Sequence, residues 1–128
     1  MLNKIEQNLI DLKFNYEEVD GNVWLVNEDE RGFENIAVMY NAPLVVFRSV
    51  VMEIPAGEAA QFALYKKLLE LNVSDLVHGA YGIEDDKVVL IDTLEYDGMD
   101  ADEFQASLDS FSLALTQHYP LLSVFRSK

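Results

Sequence analysis

The sequence contains no cysteine and only two histidines, His78 and His118. Without cysteine the chain has no disulfide framework, no thiolate nucleophile and no thiolate metal site, a composition that fits a reducing compartment. The histidines do not stand in the His-x-x-x-His or Glu-x-x-His spacing of a metal centre. We therefore expect both to be structural residues, with His118 in the last turn of a helix, where the helix dipole favours imidazolium.

Basic residues are also few. The 128 residues include 9 Lys plus Arg against 23 Asp plus Glu, a formal net charge of −14. Such a surface repels the phosphates of nucleic acids and the headgroups of anionic lipids, so neither is an expected partner. No stretch approaches the roughly 20 apolar residues of a membrane span, and acids occupy the place where a signal peptide needs an apolar run. We expect a cytoplasmic protein.

The loops that mark common enzymes are missing too. The glycines form neither a Gly-x-Gly-x-x-Gly motif nor a phosphate-binding P-loop, and no serine stands in a Gly-x-Ser-x-Gly elbow. The acidic run from Asp97 to Glu103 departs from the alternation of a calcium loop, so we interpret it as the acidic start of a helix. The sequence therefore predicts a protein that is not an enzyme and that holds no metal and no cofactor.

What is present is the composition of one folded domain over residues 1–128, with 50% hydrophobic and 11% aromatic residues. Apolar residues at helical spacing predict helices near the N-terminus, after Pro55 and after Asp100. In the second helix, one apolar side is expected to pack in the core, and Phe62, Tyr65 and Leu69 are expected to widen that buried side. Strand-favouring runs, two of them joined by Asp20-Gly21, predict the strands between the helices.

The predicted fold class is α+β, an antiparallel sheet of about five strands with three helices on one face, in the order α-β-β-β-α-β-β-α. Pro120 is expected to end the last helix, because proline lacks the amide hydrogen that continues one. Residues 120–128 are apolar and basic on an acidic protein. We expect them to be a docking tail, which packs on its own domain, packs on a dimer mate or serves as a ligand-like segment.

The strand from Leu44 to Ile54 is apolar on both of its faces. Helices can cover one face, and a second copy of the chain would cover the other. A loop or the C-terminal tail is the alternative cover. Arg48 is the only charge in the middle of this strand, and it must find a carboxylate or reach solvent. It is either an anchor for an acidic group on a partner or a residue of an internal ion pair or a sheet edge.

Two aromatic residues near an acidic loop, Trp24 and Phe33, are further candidates for partner contacts, because aromatic side chains dominate interface energetics. Trp24 also suits the core, since it lies in a predicted strand. We predict that a partner or dimer interface draws on residues from this region and from the apolar strand, namely Trp24, Phe33, Val45, Phe47, Arg48 and Val51.

Several segments together resemble the type III secretion chaperone-like fold. They are the run Leu-Leu-Glu-Leu-Asn at Leu68–Asn72, the small-residue strand Val77–Ile83, the acidic turn and strand Asp85–Leu90, and the acidic helix start Gly98–Phe104. The likeness extends from about Val23 to Tyr119. It is to the CesT-type secretion chaperones and to the YbjN- and YjfI-like bacterial proteins.

This resemblance implies a homodimer that binds a segment of a protein client through hydrophobic patches and strand or helix docking, without chemistry. The first functional hypothesis is therefore a dimeric chaperone or adaptor. The second is a small-molecule or peptide-sensing regulatory module, with a pocket between the sheet and the helices. An exposed apolar groove would favour the first hypothesis, and a pocket lined by polar groups would favour the second.

Overall fold

The computed structural model describes residues 3–28 and 33–126 of the chain. Four strands precede the middle helix and two follow it, where the sequence led us to expect one strand fewer. The elements are α1 (Lys4–Asp11), β1 (Tyr16–Asp20), β2 (Val23–Glu28), β3 (Phe33–Asn41), β4 (Leu44–Glu53), α2 (Glu58–Ser74), β5 (Ala80–Glu84), β6 (Lys87–Glu95) and α3 (Ala101–Ser123). The predicted fold class is confirmed.

The six strands form one antiparallel sheet in the order β1-β2-β3-β4-β6-β5. The Asp20-Gly21 pair lies at the turn between β1 and β2, as the hairpin signal predicted. β4 lies inside the sheet, with β3 on one side and β6 on the other. α2 crosses from the end of β4 to β5 at the edge of the sheet.

The two faces of the sheet differ in their cover. The ring of Phe47 lies 5.4 Å from that of Phe104 and 6.3 Å from that of Phe111 in α3, so the side of β4 that carries Phe47 faces the helices. We call this side the helix face. Residues opposite one another on paired strands share a face, which places Trp24, Val38 and Phe47 in one buried row. The opposite side is called the open face.

The last helix starts where the sequence predicted. The Asp100 carboxylate accepts from the Glu103 amide at 2.8 Å, and the Glu103 carboxylate accepts from the Asp100 amide at 3.1 Å. This reciprocal capping box satisfies two amide groups that the helix itself leaves without a partner. The acidic run from Asp97 to Glu103 thus includes the start of a helix.

The prediction that Pro120 ends this helix was wrong, because α3 continues to Ser123. Proline removes the hydrogen bond that its own amide would make to the carbonyl four residues earlier, and its ring crowds that carbonyl, which can kink a helix without ending it. Burial of Leu122 in the core holds the final turn against that loss. Phe125 packs on the same core, and Arg126 donates to the carbonyl oxygen of Val51 at 3.1 Å. The described part of the tail therefore packs on its own domain.

Candidate protein-binding surfaces

The predicted interface residues fall in three different environments. Trp24, Val45 and Phe47 are buried on the helix face, beneath the helices. Val51 lies half-buried at an irregularity in β4, and Arg48 lies on the open face. The side chain of Phe33 lies outside the part of the chain that the structure describes. Of the five residues whose side chains it does describe, Arg48 is the one placed within an accessible apolar surface.

The open face has an apolar centre that the described part of the chain leaves accessible. Val50 is 46% exposed and Ile91 is 39% exposed, although each lies within a paired strand. The surface extends across neighbouring strands because residues in register share a face. Its accessible centre consists of Leu25, Met39, Val46, Val50 and Ile91, whereas Val89 on the same face is buried.

Arg48 lies in the middle of a row that crosses the whole sheet, opposite Ala37 on β3 and Ile91 on β6. Its guanidinium forms an ion pair with the carboxylate of Glu84 on β5. Both side chains remain partly exposed, so the pair is worth at most about 1 kcal/mol. The internal ion pair, one of the two interpretations offered by the sequence, is the arrangement present in the structure.

A second apolar surface lies on the outside of α2. Phe62, Leu69 and Val73 are 70%, 65% and 88% exposed, and their spacing puts them on one side of the helix. We call these three residues the outer stripe. Leu64, Leu68 and Leu71 on the opposite side are buried in the core. The expectation that Phe62 and Leu69 widen the buried stripe was therefore wrong. The apolar residues on two opposite sides of α2, more than a single buried side needs, are the signal that could have revealed this surface.

The two edges of the sheet are treated differently. At the β5 edge, the Asn72 side chain accepts from the Tyr81 amide at 2.7 Å and donates to the Tyr81 carbonyl at 3.3 Å. This side chain occupies backbone groups that another strand would otherwise pair with. At the other edge, β2 is the one described strand that pairs with β1, and β1 carries the exposed acids Glu17, Glu18 and Asp20.

A buried polar cluster joins three elements that sequence reasoning did not bring together. The Tyr81 hydroxyl lies 2.6 Å from His118 Nδ1, and His118 Nε2 lies 3.1 Å from a carboxylate oxygen of Asp75. Burial, followed by the charge of Asp75, raises the pKa of Tyr81, so this residue is a neutral donor. With Tyr81 as the donor to Nδ1, Nε2 is left to donate to Asp75, which satisfies both ring nitrogens. His118 is buried in α3, more than a turn before its end.

Hydrogen bonds from Ser74 and His118 lower the pKa of Asp75. A small, partly open cleft lies beside this carboxylate, between α3 and the segment that follows α2. Val77 and Leu113 line it together with Asp75 and His118. Within residues 3–28 and 33–126, no group of three or more His, Asp or Glu side chains could hold a metal ion. No helix in the same residues is long and apolar enough to cross a membrane.

Comparison with known proteins agrees with this fold. The family model CesT_Tir_1 matches residues 1–128. Among solved structures, YbjN from E. coli superposes with a TM-score of 0.66 at 18% identity, over 91% of this chain and 89% of that one. The structure of the heterodimeric ExoU-SpcU complex from the type III secretion system of Pseudomonas aeruginosa gives 0.72 at 16% identity, over 91% and 96%. The ExsC-ExsE complex gives 0.57 at 14%, over 93% of both chains. No curated protein matches the sequence.

Proposed function

Because the chain belongs to the CesT_Tir_1 family, we propose that it acts as a homodimeric, chaperone- or adaptor-like protein that binds a protein client without chemistry of its own. Two of the similar structures are complexes of two different proteins, ExoU with SpcU and ExsC with ExsE, which supports a protein as the partner. The observation that carries the dimer is the outer stripe of α2, because so much apolar surface on one helix favours a partner.

The charges on α2 are compatible with packing against the α2 helix of a second copy of the chain. Two α2 helices packed antiparallel about a two-fold axis near residues 67 and 68 would set Phe62 opposite Val73 of the other copy. The same axis would bring Lys66 of one copy within one residue of Glu70 of the other, and these two side chains already form an ion pair within the helix at 3.4 Å. α2 also carries Lys67, so it is one of the less acidic parts of a chain with net charge −14. Self-association there brings together less like charge than elsewhere.

Light scattering with size-exclusion chromatography tests the dimer. The wild-type protein at about 50 μM should elute with twice the 14.5 kDa mass of the chain. Leu69→Glu should give the monomer mass, because the substitution places a carboxylate in the apolar centre of the interface. Val19→Glu is the matched control, since Val19 is similarly exposed but lies on β1. A monomeric wild type, or a Leu69→Glu variant that stays dimeric, would contradict the proposed interface.

Affinity capture from a lysate of the source organism tests the client. The tagged dimer should retain one protein in a fixed ratio, identified by mass spectrometry and present in the light-scattering mass of the eluate. Val19→Glu should retain the same protein. A dimer that retains no protein in a fixed ratio would contradict a chaperone or adaptor role.

The cleft beside Asp75 supports the second candidate, a module that senses a small molecule or peptide. Its lining combines the Asp75 carboxylate and Gln117 with the apolar Leu113. Such a mixture of polar and apolar groups is common in ligand sites. A thermal-shift screen of small cations and short peptides tests it. A ligand should raise the melting temperature of the wild type but not that of Asp75→Asn, and an absence of any such ligand would leave the chaperone or adaptor role alone.

A further inference from the structure

The open face of the sheet is chemically different from the outer stripe of α2. The carboxylates that register with neighbouring strands places on this face, among the described residues, are those of Glu17, Asp20, Glu53, Glu84 and Glu95. Among the described strand residues, its cations are Arg48 and Lys87, and both already have carboxylate partners. Arg48 pairs with Glu84, and Lys87 pairs with Asp86 at 3.1 Å. The face is therefore an apolar surface bordered by a surplus of negative charge.

We propose that the open face binds an apolar segment of the protein client that carries lysine or arginine residues on its flanks. This inference rests on the proposed function and adds the surface and the chemistry of the segment. The apolar centre provides burial, and the surrounding carboxylates favour a basic chain over a neutral or acidic one. Arg48 needs no acid from the client, because Glu84 supplies one, so covering the face leaves no buried charge without a partner.

A second copy of the chain is the less suitable occupant. Two open faces packed against each other would bring Glu17, Glu53 and Glu95 of both copies to the rim of one interface. Each copy carries a net charge of −14, and like charges set opposite each other across an interface disfavour association. The lysine or arginine residues of a basic segment would instead attract these rim carboxylates. Charge complementarity therefore distinguishes the client segment from the dimer mate.

The β5 side of the face has room for a large side chain. Gly82 lies on the open face opposite Val89, and a Cβ atom at Gly82 would meet nothing within 4 Å. Ile91, which is partly exposed, lies diagonally across from this space, and Val89 separates the space from Val50 on β4. An aromatic or branched residue of the client segment can fill this position and bury surface of Ile91.

Fluorescence anisotropy with two labelled ten-residue peptides tests the proposal. One peptide has six apolar residues between two lysines at each end, and the other replaces each lysine by glutamate. The basic peptide should bind the wild type at least ten times more tightly than the acidic one at 0.05 M salt. The double variant Val50→Ser, Ile91→Ser should weaken the basic peptide about tenfold. Ile10→Ser, at an exposed isoleucine on α1, should leave its affinity unchanged.

The rim and the dimer are tested in the same assay. Glu17→Gln with Glu95→Gln should weaken the basic peptide several-fold and reduce the salt dependence of its binding. The Leu69→Glu variant should keep the wild-type affinity, because its substitution lies on α2. Equal binding of the two peptides, or equal effects of the Val50, Ile91 double variant and the Ile10 control, would overturn the inference. Conversion of the dimer to a monomer by Val50→Ser, Ile91→Ser would overturn it by assigning the open face to a second copy.

Discussion

Neighbouring residues of β4 have opposite fates on the two faces of the sheet. Phe47 is fully buried against the rings of Phe104 and Phe111, whereas Arg48 points to the open face and pairs with Glu84. Both faces of the strand carry apolar residues, because Val45 and Phe47 lie on the helix face and Val46 and Val50 lie on the open face. The two faces differ in what packs against them, because the apolar sides of the described helices pack against the helix face.

This difference teaches that hydrophobicity within a strand does not by itself identify the core. The helix face gains stability from tight packing, and its polar groups must find partners inside the protein. The open face can keep apolar side chains half-exposed at modest cost, and that surface remains available for binding. Mutations in the two faces should therefore differ both in size and in kind.

The largest effect is expected from Phe47→Ala. The substitution leaves a cavity between β4 and α3 and should lower the free energy of unfolding by about 3–5 kcal/mol. Urea unfolding followed by the fluorescence of Trp24, the only tryptophan, measures it at a fixed protein concentration. Val46→Ala, at the next position and on the open face, is the control and should cost about 1 kcal/mol or less. Equal losses at the two positions would break the distinction between the faces.

A smaller effect is expected from Tyr81→Phe, which tests the polar cluster in the core. The variant removes the hydroxyl that donates to His118 Nδ1 and should cost about 1–2 kcal/mol, because a buried nitrogen loses its partner. Tyr119→Phe, at an exposed tyrosine beside His118, should change stability by less than about 0.5 kcal/mol. Comparable urea midpoints for the two variants would show that the cluster does not stabilise the fold.

Much of the fold could be predicted from the sequence because its signals are local. The Asp20-Gly21 turn, the capping box of Asp100 and Glu103, and the alternating strands each depend on a few adjacent residues. The prediction that Pro120 ends the helix was wrong because it also used only local sequence. The burial of Leu122, which keeps the helix intact, is a tertiary contact. The prediction that Phe62 and Leu69 are buried was wrong because the sequence of a helix with two apolar sides does not show which side meets the core.

The candidate surfaces were less predictable, because they depend on contacts between distant residues. Asp75, Tyr81 and His118 meet across separations of 37 and 43 residues, and no local spacing connects them. The sequence did mark Arg48 as a charge in need of a partner. It could not choose Glu84, because the choice follows from the pairing of β6 with both β4 and β5.

A still smaller effect is expected from Arg48→Leu, which probes the open face with a change from charged to apolar. The ion pair with Glu84 is partly exposed, so its loss should alter the free energy of unfolding by less than about 1 kcal/mol in urea titrations. Glu84→Gln should alter the free energy of unfolding by a similarly small amount, because it removes the same ion pair. A loss of more than about 2 kcal/mol for Arg48→Leu would mean that this pair stabilises the sheet as strongly as a buried contact, which would weaken the comparison of the two faces.

The smallest effect is expected from Asp75, the exposed end of the buried cluster. Its pKa is lowered in the folded protein by hydrogen bonds from Ser74 and His118, so its contribution to stability is present above the pKa of the unfolded chain, near 4. That contribution should be lost as the pH falls from about 4 through the lower folded pKa. The difference in urea midpoint between the wild type and Asp75→Asn should therefore be constant near neutral pH and shrink below pH 4. Asp109→Asn, at an exposed position on the same helix as His118, is the matched control. A difference for Asp75→Asn that stays the same down to pH 3 would show that the carboxylate charge does not stabilise the cluster, and that His118 is held by Tyr81 and burial alone.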